Sequence, residues 1–276
     1  MKSKVISEFS SDKLIFDHKI CTELTKKSFP HHSHAACELL YFVEGDASYY
    51  IEGRIYKLSP GDMLLVRSAM HHGLLIDGDK KYERYDIMFD EALMPSEIAE
   101  RIPKGREVIS CANASEVKEI FLRMDGYAKR LDREIAVGAY NACLYELLCA
   151  FLVGTESESF SSREVNNPII AAALKYIEEN LRQPLSVADI ASNLYITKSY
   201  LHQLFIDNLH TTPKKYITEK RLLLARREIL CGKNPTGIYL ECGFFDYATF
   251  YRNYKAAFGV SPSDERRGEM PKEILS

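Results

Sequence analysis

Residues 242–262 read CGFFDYATFYRNYKAAFGVSP, and how this stretch folds decides the second half of the chain. Phe250, Tyr254 and Phe258 recur every four residues, which is one stripe of a helix. Arg252, Asn253 and Lys255 fall between them, on the faces a packed helix leaves to solvent. Gly243 supplies a turn ahead of the helix, and Asp246 is placed to cap it. Upstream, Asn234-Pro235 opens a shorter helix, with asparagine as cap and proline at its first position. A short helix, a turn and a second short helix make a helix-turn-helix pattern.

Working outward, residues 184–207, PLSVADIASNLYITKSYLHQLFID, repeat that pattern. Ser186 and Asp189 form a capping box, and Thr197 caps the second helix. Leu201 aligns with Phe250 and Phe205 with Tyr254 at an offset of 49, whereas Ile190 aligns with Ile238 at 48. The second turn is therefore one residue longer. Between the two patterns lies TTPKKYITEKRLLLARREILCGK, with Thr212 as cap, Pro213 at the first helical position and Gly232 as the stop. At 1.5 Å per residue this connector is a rod of roughly 27 Å. Successive major grooves on one side of DNA are about 34 Å apart, so a rod of this kind suits two helices that enter neighbouring grooves.

The stretches SVADIASNLYITKSYLHQLF, KRLLLARREIL and CGFFDYATFYRNYKAAFGVSP resemble the AraC/XylS family of transcription regulators, over about residues 168–267. The resemblance implies a DNA-binding domain with two helix-turn-helix units, each placing its second helix in a major groove. By position, the outward residues are Lys198, Ser199, Tyr200, His202 and Gln203 in the first reading helix. Those of the second are Tyr247, Ala248, Thr249, Tyr251, Arg252 and Lys255. Their chemistry agrees: arginine pairs bidentately with guanine and glutamine with adenine, while lysines suit phosphates. Four residues depart from the family pattern: Tyr239 in place of a small residue, Gly237 within a helix, His210 in place of glycine, and Glu265 in place of an aromatic.

The front half changes period. Glu44-Gly45-Asp46, Glu52-Gly53 and Ser59-Pro60-Gly61-Asp62 punctuate short runs of high β propensity, which predicts antiparallel hairpins closing into a barrel. A last strand, YERYDIMF, ends near Phe89. In FPHHSHAACELLYFVEG, His32, His34 and Glu38 share parity on an extended chain and point to one side, with His71 or His72 reaching them from a later strand. The spacing from His32 to Gly45 resembles the first cupin motif, and SPGDM with His72 resembles the second. Cupin-like barrels hold a ligand pocket, and AraC-type regulators often carry one at the N-terminus as a sensor. His32, His34, Glu38 and His72 are thus candidates for an effector pocket. The same set is also the candidate for a divalent transition metal such as Fe(II), Mn(II), Ni(II) or Zn(II).

The expected architecture is an α+β two-domain chain. An effector-sensing, cupin-like or jelly-roll-like antiparallel barrel occupies residues 1–110, and a helical dimerisation or connecting segment 111–154. A Ser/Glu-rich linker spans 155–167, and an all-α tandem helix-turn-helix domain spans 168–276. In the middle segment Ile135, Ala139, Ala142, Leu144, Leu147, Leu148 and Phe151 cover much of one helix, which predicts burial in the domain or at a dimer interface.

The net charge of -3 divides into -6 for residues 1–167 and +3 for the rest, as expected for halves with different partners. Seven scattered cysteines without a CxxC argue against a disulfide framework or zinc ribbon. The start of the chain has no secretory pattern and no run of 18 residues is apolar throughout, so the expectation is a cytoplasmic protein without a membrane span.

These features predict a non-enzymatic, sequence-specific regulator, working as a homodimer on double-stranded promoter DNA. Its barrel senses a polar small molecule of the sugar kind, and RNA polymerase is a partner if it activates. The alternatives are a metal-dependent cupin enzyme or metal sensor tethered to a DNA-binding tail, and a barrel that serves only as a dimerisation scaffold.

Overall fold

The computed structural model describes residues 2–22, 27–28, 32–79, 81–103, 105–156, 164–209 and 211–267. The chain divides into an N-terminal unit, residues 1–30 and 36–165, and a C-terminal unit, residues 31–35 and 166–276.

The N-terminal unit opens with strands β1 (Lys2–Ser10), β2 (Leu14–Thr22), β3 (Lys27–Ser28), β4 (Cys37–Glu44), β5 (Ala47–Ile51) and β6 (Arg54–Lys57). It continues with β7 (Asp62–Val66), β8 (His72–Ile76), β9 (Tyr82–Phe89), helix α1 (Ser96–Arg101) and β10 (Val108–Ser110). Helices α2 (Ser115–Arg130) and α3 (Arg133–Glu156) and a short strand β11 (Glu164–Asn166) follow.

One sheet has the order β1-β2-β9-β4-β7-β10 and the other β11-β6-β5-β8-β3. The described pairings are antiparallel, as the hairpin signals predicted. Ile51 pairs with Arg54 across Glu52 and Gly53, whose φ values of 48° and 76° are those of a two-residue primed turn.

The strands do not close into a barrel. β1 and β10 are the edges of the first sheet, β11 and β3 those of the second, and no pairing among the described residues joins them. The two sheets face one another instead. Leu40, Phe42, Leu64 and Val66 from the first pack with Ala47, Tyr49, Ile51, Tyr56 and Ile76 from the second.

The other face of the first sheet carries Leu39, Tyr41, Met63, Leu65, Tyr85 and Ile87, which pack under α2 and α3. Buried on both faces, β4 and β7 lose the polar alternation of a half-exposed strand and read as continuous apolar runs. Helix α3 matches a membrane span by length and composition. Its Tyr140, Leu144, Leu147, Leu148 and Phe151 are instead packed in this core. Ile135 is 60% exposed and Ala142 is exposed too, so that part of the expected burial does not occur within the unit.

The C-terminal unit is helical: α4 (Pro168–Asn180), α5 (Val187–Asn193), α6 (Lys198–Leu209), α7 (Pro213–Leu230), α8 (Pro235–Glu241), α9 (Tyr247–Phe258) and α10 (Pro262–Arg266). The caps lie where the sequence puts them. Asn167 accepts from Ile169 N and Ile170 N, Ser186 and Asp189 form a capping box, and Thr212 accepts from Lys215 N. Asn234 and Asp246 cap α8 and α9. His210, and residues 157–163 of the expected linker, lie outside the described residues.

Two apolar cores form here. Ile170, Ala173, Ile190, Leu201, Phe205, Tyr216 and Ile217 make the first, and Leu222, Ala225, Ile229, Ile238, Phe250 and Tyr254 the second.

Candidate nucleic-acid interface and ligand pocket

Each helix-turn-helix turns on one residue in the left-handed region: Tyr195 at φ 55° in the first and Gly243 at φ 83° in the second. The amide after it closes the turn, Ile196 N donating to Ala191 O and Phe244 N to Tyr239 O, both at 3.0 Å. From there Thr197 caps α6 directly, bonding Tyr200 N at 3.1 Å. In the second motif Phe245 intervenes before Asp246, which takes Thr249 N at 2.7 Å. The extra residue expected from the offsets is therefore Phe245, and it stands 73% exposed.

Leu201, Leu204 and Phe205 hold α6 to its core, which leaves Lys198, Ser199, Tyr200, His202 and Gln203 exposed. The Gln203 amide donates to Asp207 Oδ1 at 2.7 Å, so a base edge would compete with that bond. Phe250 and Tyr254 hold α9, leaving Ala248, Arg252 and Lys255 exposed, with Thr249 and Tyr251 half-buried. Tyr247 is half-buried as well. Its ring packs on Tyr239 at 5.6 Å and Phe250 at 5.9 Å, because Tyr239 offers an aromatic partner where the family has a small residue.

Glu265, a mere departure from pattern in the sequence, proves to be buried at 2% exposure. Arg226 Nε and Nη2 both reach its Oε1 at 2.7 Å, and the Tyr254 hydroxyl donates to Oε2. An ion pair and a phenol thus meet in one buried site. Lone glutamate is a surface signal; only a matching buried cation, 39 positions earlier, changes its reading.

In the N-terminal unit, strand parity and pairing assemble a polar patch on the face toward the second sheet. Asp17 lies opposite Asp86 in register, and Lys19 opposite Arg84. Lys19 Nζ donates to Asp17 Oδ2 at 2.7 Å and Arg84 Nη2 to Asp86 Oδ2 at 2.9 Å. The second oxygens, Asp17 Oδ1 and Asp86 Oδ1, and the Tyr82 hydroxyl are buried without a hydrogen-bond partner among the described residues. Burial, reinforced by the charge on Glu38, pushes Asp86 up to about 7, against the opposing pull of Arg84. Asp17 and Lys19 also line an open cleft of about 630 Å³ beside Glu8, Tyr127 and Arg133.

Within the N-terminal unit, two of the four expected pocket residues, Glu38 and His72, come together. His72 Nε2 lies 3.1 Å from Glu38 Oε2, its Nδ1 lies 2.9 Å from Met70 O, and the Tyr49 hydroxyl donates to Glu38 Oε1 at 2.8 Å. Burial opposes charge on His72, but the Glu38 carboxylate outweighs it and the imidazole titrates above the ordinary histidine range. Glu38 and His72 thus serve each other as ion-pair partners. His32 and His34, with ring centres 5.5 Å apart, belong to the segment that groups with the C-terminal unit.

Sequence reasoning missed a second polar cluster, on the helical side of the same sheet. His18 lies between Asp125 Oδ2 on α2 and Glu83 Oε1 on β9, each at 3.0 Å. Asp125 also accepts from the Ser7 and Tyr85 hydroxyls, which ties α2 to three strands. The alternation of β2 could have flagged it, since His18 shares parity with Leu14 and Phe16.

Comparison with known proteins agrees with both halves. A family model described as a helix-turn-helix domain matches residues 190–268, and one described as an AraC-like ligand binding domain matches residues 21–137. The XylDLEGF operon transcriptional activator 1 of Pseudomonas putida is 26% identical over 255 residues, which is 86% of this chain and 76% of that protein. The HTH-type transcriptional activator RhaS of Yersinia pseudotuberculosis is 22% identical over 252 residues, 87% of this chain and 90% of that protein. Among solved structures, an AraC-type regulator from Chromobacterium violaceum is 33% identical, with a TM-score of 0.35, over 38% of this chain and 95% of that one.

Proposed function

The chain belongs to the AraC/XylS family of DNA-binding transcription regulators, with a ligand-binding domain ahead of its helix-turn-helix domain, and from that premise we propose how it reads DNA and what it senses. Helices α6 and α9 enter successive major grooves of promoter DNA. Gln203 and Arg252 address base edges, and Lys198 and Lys255 address phosphates, with Ser199, Tyr200, His202, Tyr247, Ala248, Thr249 and Tyr251 completing the two contact faces. The observation that carries this reading is the repeated geometry: two turns closed by the same bond, each followed by a capped helix with an uncovered outer face.

A footprint on DNA upstream of the chain's own gene tests it. Two protected blocks about one helical turn apart are the expected result. Absence of any protection would remove the reading.

The protein works as a cytoplasmic homodimer. Support comes from the exposed side of α3, where Ile135, Gly138, Ala142 and Tyr145 follow each other at three- and four-residue spacing. Since the relatives above are named as activators, RNA polymerase is the further partner.

The effector is a neutral, hydroxyl-rich small molecule of the sugar kind, held between the two sheets. Lys19 and Arg84 disfavour a cation there, and Asp17, Asp86 and Glu38 disfavour an anion. Hydroxyl groups both donate and accept, which suits the unpartnered Asp17 Oδ1, Asp86 Oδ1 and Tyr82 hydroxyl. Glu38 and His72 form the inner wall. To act as a signal, the ligand must bind one arrangement of the protein more tightly than another. Thermal shift against matched panels of sugars, amines and carboxylates checks this. Stabilisation by amines or carboxylates, with none by sugars, would refute the assignment.

A further inference from the structure

We propose that Arg221 is a positioning residue that locks the two helix-turn-helix motifs into one reading geometry; the inference rests on the DNA-binding reading above. Among the described residues the two motifs have separate apolar cores. On α7 the first core ends at Tyr216 and Ile217, and the second begins at Leu222. Arg221 occupies the changeover and is 7% exposed.

Its guanidinium reaches away from α7 into the first half. Nε donates to Leu181 O at 2.9 Å and Nη2 to Gln183 O at 2.7 Å. Leu181 is the C-terminal cap residue of α4, so the fork closes the cap carbonyl and a second one from the loop that follows. From the opposite side comes Gly243, the left-handed turn residue of the second motif. A Cβ there would stand 2.6 Å from Leu181 O and 2.7 Å from Arg221 Nε. The side chain is thus wedged between the end of α4 and the turn that aims α9. Next to it, Arg182 pairs with Glu228 on α7 at 2.8 Å and donates to Glu241 O on α8 at 3.4 Å.

The rod sets how far apart the reading helices are. A rod alone leaves each motif free to rock about its attachment, and the knot at Arg221 removes that freedom. A planar fork with two donors at fixed angle can hold two carbonyls at once, whereas lysine offers a single charged point.

The consequence is measurable as coupling between the two halves of a DNA site. When two readers are held in register, the second contact is intramolecular, and a two-block site binds about tenfold or more tighter than a one-block site. The experiment uses the full chain. Wild type selects its duplex from a random-sequence pool, and one of the two protected blocks is then scrambled to give a one-block probe. Dissociation constants on both duplexes, by fluorescence anisotropy at one salt concentration, are measured for wild type, Arg221→Lys, Arg221→Ala and Gly243→Ala, with melting temperatures alongside.

In Arg221→Ala and Gly243→Ala the two-block advantage is expected to shrink about fivefold or more, while one-block affinity stays within about twofold. Arg221→Lys, which keeps the charge, falls between. An unchanged advantage in both variants overturns the inference. So does a parallel loss on both duplexes, which would make Arg221 a stabilising residue only. Failure of the wild-type chain to enrich any sequence would overturn the DNA-reading premise, and the inference with it.

Discussion

Replacing Glu265 with glutamine tests how the second helix-turn-helix is held. The carboxylate is 2% exposed and its partner Arg226 6% exposed. Two guanidinium nitrogens at 2.7 Å share Oε1, and the Tyr254 hydroxyl takes Oε2. Burial first, and then the charge on Glu265, push the Tyr254 hydroxyl up, so it remains a protonated donor. Arg226 also stacks 4.5 Å over the Phe258 ring, which helps hold the cation in place. Glu265→Gln keeps the shape and one acceptor but strands a buried positive charge. Breaking such a pair costs about 3–5 kcal/mol. That corresponds to roughly 10²–10⁴-fold faster opening of the segments it joins. The chain has no tryptophan, so amide hydrogen exchange in α7 and α9 is the suitable assay. A double variant, Arg226→Met with Glu265→Leu, removes both charges and should recover most of the loss, because a well-packed apolar pair is often as stable as a buried ionic one. Protection lowered by less than about 1 kcal/mol in Glu265→Gln, or a double variant no better than the single, would refute the reasoning.

Three further outcomes separate contact from packing and charge from shape. Arg252→Ala, at an exposed position of α9, should cost about 1–3 kcal/mol at one base pair and relax preference there; competition between single-base operator variants measures it. Phe250→Ala, at a residue with no exposure, should cost about 3–5 kcal/mol and raise exchange throughout α8 and α9. Burial opposes charge on His18, but the carboxylates of Asp125 and Glu83 outweigh it, so its folded pKa lies above the ordinary value. Its stabilisation is then complete below about pH 6.5 and fades as pH rises through the raised value. The melting temperature of the N-terminal unit should fall over that range, and Asp125→Asn should lower it at acid pH while flattening the dependence.

The repeated helix-turn-helix and its caps were legible in the sequence because the interactions that make them span four residues or fewer. Ser186 finds Asp189, Thr197 finds Tyr200 N and Asp246 finds Thr249 N, whatever the rest of the chain does. The turn at Glu52-Gly53 was legible for the same reason. β1 was not. It lies at a sheet edge with most of its residues solvated, so its run KSKVISEFS carries little apolar alternation. Nor was the open arrangement of the two sheets, since strand patterns do not say whether edges meet.

Parity placed Glu38 on one side of its strand, but only the stacking of two separate sheets brought His72 and Tyr49 to it. Tertiary structure likewise paired Asp17 with Asp86, matched Glu265 with Arg226, and set Arg221 against Leu181 and Gly243. The sequence by itself determined the elements, their ends and the faces they bury, since periodicity and capping act within a turn or two. Which polar groups meet was decided by strand register and by cores that form over tens of residues, because burial makes a charge seek whichever partner the packed chain brings within reach.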